Sequence, residues 1–205
     1  MSVPSTMSSP RRAPQQERGE RRLVQLLEAA AAVLAESGYD ATTMTEIAER
    51  ANASIGTLYQ YFPNKPAIVL ALRSQISAEM QERWTHLDED FAAEMSATQI
   101  AHRMIEITNR FVEEHPAYFP VLDAPVKYKR SQEARSRLRK QIAMIFQSKK
   151  PTLTHEAAYR MANVALQIIK SMNLLYADAD ARERAALVEE YKIALSAYLE
   201  ARLAP

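Results

Sequence analysis

The chain has 205 residues, 47% of them hydrophobic and 25% charged, and its 26 Lys and Arg nearly cancel its 25 Asp and Glu to leave a net charge of +1. That balance fits a globular protein of one domain or two small ones and gives no sign of a disordered or fibrous chain. The absence of Cys excludes disulfides and thiolate metal sites, no apolar run reaches the roughly 18 residues of a spanning helix, and three Gly against nine Met favour helix over sheet.

The charge is unevenly spread. Residues 1–65 carry 7 basic and 7 acidic side chains, 66–126 carry 4 and 10, 127–150 carry 9 and 1, and 151–205 carry 6 and 7. Residues 1–17, rich in Ser, Pro, Gln and Arg, are expected to be a disordered arm, solvated or with Arg side chains reaching phosphates or a minor groove. Arg11, Arg12, Arg18, Arg21 and Arg22 are followed by no hydrophobic segment, so no secretory leader is expected. With the absence of Cys, this suits a cytoplasmic protein.

A first helix is predicted from about Arg18 to Ser37, with Leu23, Leu26, Leu27, Ala30 and Leu34 on one face and Gly38 as its C-cap. The stretch TMTEIAERANASIGTLYQYFPNK, Thr43 to Lys65, then reads as two short helices joined by a tight turn. Thr43 and Glu46 have capping-box spacing. Met44, Ile47, Ala48 and Ala51 recur at helical spacing, Asn52 tolerates a left-handed turn, and Ser54 restarts the chain as an N-cap. Leu58 and Phe62 face inward. Such a pair fits a helix-turn-helix whose second helix enters the DNA major groove. Thr43, at an exposed helix N-terminus, suits a phosphate as well as a cap.

From about Arg18 to Leu72, and above all over Gly56-Thr57-Leu58-Tyr59 with Tyr61-Phe62 and Lys65, the sequence resembles the TetR family of transcriptional repressors. In the reading helix, Ser54, Ile55, Thr57 and Gln60 are the expected base contacts. Ile55 stands where many relatives carry a polar residue and suits a thymine methyl. Gly56 admits close approach of the DNA. The resemblance implies that Tyr59 and Tyr61 reach phosphates, with packing against the first helix the other reading of Tyr59. It implies that Lys65 binds a phosphate, against the alternative of an ordinary surface cation.

The predicted architecture is all-α, with about nine helices. Residues 1–17 form the arm, 18–65 a three-helix helix-turn-helix head, and 66–205 a ligand-binding and dimerisation body. A fourth helix, from about Lys65 to Leu87, carries Ile68, Leu72, Ile76 and Met80; in the family it links head to body. A loop is expected at 88–95, where the acids Asp88, Glu89 and Asp90 diverge too much to bind a metal. Ser96 and Gln99 then open a helix through Glu114, and a short helix follows through about Leu122. Residues 127–149 are expected to form a helix with a basic face (Lys127, Lys129, Arg130, Arg135, Arg137, Arg139, Lys140), read as a solvated face pairing with the acidic 66–126 segment rather than as a nucleic-acid surface. Two last helices run from about Thr154 to Tyr176 and from Asp180 to Arg202; the family resemblance implies that they pair with a second copy.

The expected function is a homodimeric repressor released from a palindromic double-stranded DNA operator by a small-molecule effector. Trp84, Met104, Phe111, Tyr118, Phe119, Phe146, Met161 and Met172 are the candidate pocket residues, core packing being the other reading of each. Their character suggests an apolar or aromatic ligand, with His102, His115 and Asn173 as polar contributors. An enzyme finds no support: no Gly-rich phosphate loop, no Cys nucleophile, no HExxH pair and only four scattered His. No catalytic residue, metal ligand, cofactor or membrane contact is expected. The remaining alternatives are an enzyme whose site is assembled only in three dimensions and a helical protein-interaction adaptor, against the latter of which Thr57, Tyr59, Tyr61 and Lys65 speak.

Overall fold

The computed structural model describes residues 13–85, 94–127 and 132–204, and every described element is helical. In order these are α1 (Ala13–Ala41), α2 (Met44–Arg50), α3 (Ile55–Tyr61), α4 (Lys65–Thr85), α5 (Ala97–Glu114), α6 (Tyr118–Asp123), α7 (Gln132–Lys149), α8 (His155–Asp178) and α9 (Ala181–Leu203). They form two compact units. One gathers the described residues up to Leu72 with Pro120–Val126, and the other Arg73–Phe119 with those from Lys127 onward. The division falls inside α4, two turns beyond the expected boundary at residue 65. Ile68, Val69 and Leu72, on the first unit's part of α4, are buried.

In the first unit α1 packs on α2 and α2 on α3. Helix α1 starts earlier than Arg18, so residues 13–17 are helical rather than part of an arm. Local pairing explains the extension. Glu17 and Arg21 form an i,i+4 ion pair at 3.2 Å, and Gln16 donates to Glu20. Leu26, Ala29, Ala30, Val33 and Leu34 are the buried stripe, completed by Ile47 and Ala48 from α2 and Leu58 and Phe62 around α3. Gly38 breaks the helical backbone at φ 71°, ψ 176°, and a last turn carries α1 on to Ala41. Thr42 closes that turn, its amide and hydroxyl both donating to Gly38 O.

Both short helices are capped as their sequences imply. Thr43 Oγ1 accepts from Glu46 N at 3.2 Å and Ser54 Oγ from Thr57 N at 3.0 Å, while Asn52 takes the left-handed backbone at φ 47° between them. Asn64 caps α4, its side chain accepting from Ala67 N.

In the second unit α9 packs on α5 and α8, and α8 on α7. Trp84, Met104, Ile142, Phe146, Met161, Ala165, Met172, Leu195 and Leu199 lie in one continuous apolar core; each large side chain contributes about 1.5–3 kcal/mol by leaving water. The Ser96–Gln99 capping box closes in both directions, and Thr154 and Asp180 cap α8 and α9. Helix α7 begins at Gln132 and Lys127 is non-helical, so the expected basic helix is shorter. Its Arg135, Arg137 and Lys140 are exposed opposite buried Leu138, Ile142, Ile145 and Phe146. The acids 88–90, the basic residues Lys129 and Arg130, and Arg11 and Arg12 lie outside the described residues. No described helix is long and apolar enough to cross a membrane, and no described group of three or more His, Asp or Glu comes together to hold a metal.

A Cβ at Gly38 would have no atom within 4 Å, so only the backbone conformation demands glycine there. Gly38→Ala is expected to cost about 1–3 kcal/mol through strain alone, read as a fall in the thermal midpoint of roughly 2–4 °C per kcal/mol for a chain of this size. An unchanged midpoint would show that α1 ends in another way.

Candidate nucleic-acid interface

Ser54, Ile55, Gly56, Tyr59 and Gln60 of α3 are all exposed, as is Thr43 at the start of α2. They cover the side of the motif opposite Leu58 and Phe62. Tyr59 is 51% exposed, and Ile55 is an apolar side chain held 41% exposed. Thr57 is half-buried, and its hydroxyl lies 2.8 Å from Ser54 Oγ, so these two hydroxyls engage each other. Tyr61 is turned toward α1, its hydroxyl donating at 3.4 Å to Gly19 O.

Gly56 is informative because nothing inside the fold requires it. A Cβ there would meet only Ser54 Oγ, at 3.9 Å. This glycine sits in the first turn of α3, on its exposed face.

The cations of this unit are largely spent within it. Lys65 Nζ donates to Tyr39 O, to Thr42 O at 2.8 Å and to Asp40 O at 3.3 Å, and sits 4.3 Å from the centre of the Tyr39 ring. Lys65 Nζ is thus bonded to carbonyls of its own unit. Arg22 donates to Ala51 O at 3.3 Å and Asn52 O at 3.0 Å, across the α2–α3 turn. Arg50 pairs with Glu36 and, by that hydrogen bond first, holds the Glu36 carboxyl below the usual carboxylate range. The Arg22 and Lys65 contacts span 23 to 30 residues of sequence, and no local pattern marks them.

The candidate pocket residues of the second unit fall into two groups. Trp84, Met104, Phe146, Met161 and Met172 are packed into the apolar core. Phe111, Tyr118 and Phe119 come together instead in an aromatic cluster that sequence spacing only half revealed. Phe111 stacks on His115 with ring centres 3.9 Å apart, Tyr118 meets both Phe111 and Phe119 edge-on, and Phe119 lies 6.1 Å from Tyr176. His115 presents Nδ1 to Phe111 O at 2.7 Å and Nε2 to Glu79 at 3.0 Å. Asn173 Nδ2 donates to Tyr118 OH at 3.0 Å. The side-chain oxygens of Asn109 and Asn173 are buried with no hydrogen-bond partner among the described residues. Burial, and then the Glu113 carboxylate, push the Tyr176 hydroxyl's pKa up. His102 is half-buried and makes no ring contact with this cluster among those described.

Residues 26–72 match the family model for bacterial regulatory proteins of the tetR family, and residues 94–199 match that for the tetracyclin repressor-like C-terminal domain. The transcriptional repressor KstR of Mycolicibacterium smegmatis is 33% identical over 102 residues, 50% of this chain and 47% of that protein. The fatty acid metabolism regulator protein of Bacillus subtilis is 32% identical over 78 residues, 38% of this chain and 39% of that one. The chain thus spans about half or less of the length of the curated relatives it matches. Among solved structures, a tetR-family transcriptional regulator from Mesorhizobium loti aligns with a TM-score of 0.57 at 22% identity, over 90% of this chain and 98% of that one. The regulator FadR of Bacillus subtilis, solved with stearoyl-CoA, aligns with a TM-score of 0.55 at 19% identity, over 86% and 98%.

The exposed face of α3 generates separable expectations for a protein–DNA titration. Ile55→Ala or Gln60→Ala should alter preference at one base pair by about 1–3 kcal/mol if the side chain reads a base edge. Tyr59→Phe should weaken binding evenly across sequences. An even loss for Ile55 or Gln60 would place that residue at the backbone instead.

Proposed function

Because this chain belongs to the tetR family of bacterial regulatory proteins, we propose that it is a DNA-binding transcriptional repressor, working as a homodimer on a palindromic operator and released by a small molecule. The observation that carries this reading is the outward face of α3. Polar side chains, one exposed isoleucine, one exposed tyrosine and a glycine without an internal role stand together on a helix capped at Ser54. Thr43 adds a second exposed helix N-terminus, where amide donors and the helix dipole suit a phosphate. Ser54, Ile55, Thr57 and Gln60 are the proposed base contacts, and Thr43, Tyr59 and Tyr61 the proposed backbone contacts.

The second copy would dock on α8 and α9. Val164, Leu175 and Ile193 are 39%, 54% and 62% exposed on these two helices, and apolar side chains of that size gain by being covered. A two-fold pair of motifs suits half-sites roughly 34–36 Å apart or a multiple of that.

The effector would be apolar and would enter among the Met and aromatic side chains of the second unit. Those residues are closely packed in the ligand-free chain, so binding would displace some of them. Methionine, unbranched and polarizable, adapts to this more readily than a β-branched side chain. Long-chain acyl-CoA is the first class to test, given the fatty-acid regulator among the relatives and the stearoyl-CoA held by a solved FadR. Such a ligand shifts the DNA-binding equilibrium only through its differential affinity for the two states, and α4, which runs from Lys65 to Thr85, is the proposed transmitting element.

Footprinting on the DNA upstream of the protein's own gene, with excess competitor, should protect an inverted repeat; protection spread over every sequence would overturn operator recognition. Ile193→Glu should convert dimer to monomer in light scattering and weaken operator binding, and a stable dimer would move the interface elsewhere. Stearoyl-CoA at about 100 times its dissociation constant should stabilise the protein by about 2.7 kcal/mol and release the operator. No thermal shift would exclude that class.

A further inference from the structure

We infer that Arg135 and Arg139, near the start of α7, form the anionic-head subsite of the effector: its apolar tail enters the core of the second unit, and a carboxylate or phosphate rests on these two guanidinium groups. The inference rests on the apolar-effector reading above and adds the head that such a ligand carries. Positions 135, 138, 139, 142 and 146 share one face of a helix. Leu138, Ile142 and Phe146 are buried in the apolar core, whereas Arg139 is half-buried and Arg135 exposed. The stripe that lines the core thus changes within one turn from apolar side chains to two arginines, which mark its rim. Arg137 and Lys140, exposed as well, lie on the other side of the helix. Long helical side chains lean toward the N-terminus, and Arg139 does so here, its Nη1 donating to Arg135 O at 2.8 Å.

The two arginines are sparsely held. Arg139 Nε also donates to Asn163 of α8, so two of the five N–H donors of its guanidinium are used. The others, and the whole Arg135 side chain, have no partner among the described residues. None of Arg135, Arg137, Arg139 and Lys140 joins an ion pair among those residues, so these four do not make the pairing with the acidic 66–126 segment that the sequence suggested. Two local preferences are broken here. Like charges four residues apart on a helix repel, and cations in its first turns oppose its dipole. Residues 127–150 set only Glu133 against nine cations. An anion lying on both guanidinium groups removes both penalties, and local rules broken without an internal gain belong to functional sites. Arginine forks take the oxygens of a carboxylate or phosphate in bidentate pairs. Gln141, on the same helix, donates to Trp84 O at 2.8 Å, in the last turn of α4. A ligand that loads Arg139 therefore acts on a helix tied directly to the proposed transmitting element.

The test titrates the whole chain with lauroyl-CoA, laurate and dodecanol, each kept below the concentration at which it aggregates. The same tail then carries a phosphate-bearing head, a carboxylate or an uncharged hydroxyl. The wild type should bind an anionic probe about tenfold more tightly than dodecanol, as a charge-assisted contact provides. A margin for lauroyl-CoA names phosphate as the head, and a margin for laurate names a carboxylate. Arg135→Glu should abolish the margin and leave dodecanol binding as in the wild type. Arg137→Glu, the same charge change on the other side of the same helix, should leave every probe unaffected. Both side chains are exposed, so both variants should keep the wild-type thermal midpoint. Arg139→Gln, which retains a donor for Asn163, should reduce the margin as well. The inference is overturned if dodecanol binds as tightly as its anionic relatives, if Arg135→Glu leaves the margin in place, or if Arg137→Glu removes it equally. In each of those cases the tail still binds and the apolar-effector reading stands. Failure of every probe to bind would overturn that reading, and the inference with it.

Discussion

Two helices of seven residues each must be held rigidly enough to present a recognition surface, although helices shorter than about 12–15 residues are marginal in water. Everything in the first unit answers that constraint. Ile47, Ala48, Leu58 and Phe62 anchor the two helices to the buried stripe of α1, which supplies adhesion but little direction, because apolar burial is non-directional. Orientation comes from polar groups with fixed geometry. Thr43 and Ser54 stop the helices at defined residues, Asn52 turns between them, and Arg22 and Lys65 attach the ends of α2 to its neighbours.

This division of labour has an electrostatic consequence. Residues 1–65 are neutral overall, and four of their seven cations are paired within the unit: Arg21 with Glu17, Arg50 with Glu36, Arg22 and Lys65 with carbonyls. On α2 and α3 themselves the outward groups are chiefly hydroxyls, an amide side chain, one isoleucine and the N-terminal ends of two helices. Such a surface draws its affinity from amide donors and contact shape more than from counterion release, so it suits discrimination among sequences better than indiscriminate attachment.

Much of this was legible in the sequence wherever the determining interaction is local. The caps at Thr43, Ser54, Ser96, Thr154 and Asp180 are three-residue patterns, and each was readable because donor and acceptor lie within one turn. The apolar stripe of α5, Ile100, Met104, Ile107 and Phe111, follows the helical period and is buried as that period requires. The start of α1 was misread because a Pro and Gln-rich composition suggested disorder, while Glu17–Arg21 pairing and a Pro in the first turn, where its missing amide matters least, permit a helix. The carbonyl contacts of Lys65 were illegible for a different reason. They reach 23 to 26 residues back along the chain, and a lysine beside a helix N-terminus looks the same in sequence with or without them.

The same contrast between local and distant determinants runs through the second unit. Its core could be read from periodicity, but the aromatic cluster of Phe111, His115, Tyr118, Phe119 and Tyr176 joins three elements and appeared in sequence only as scattered rings. Within the unit this cluster differs in kind from the purely apolar core around Met104 and Phe146. It holds paired polar groups, His115 with Glu79 and Asn173 with Tyr118. Directional hydrogen bonds thus fix the cluster's rings, whereas the apolar core is held chiefly by packing, and the two leave different marks in the sequence.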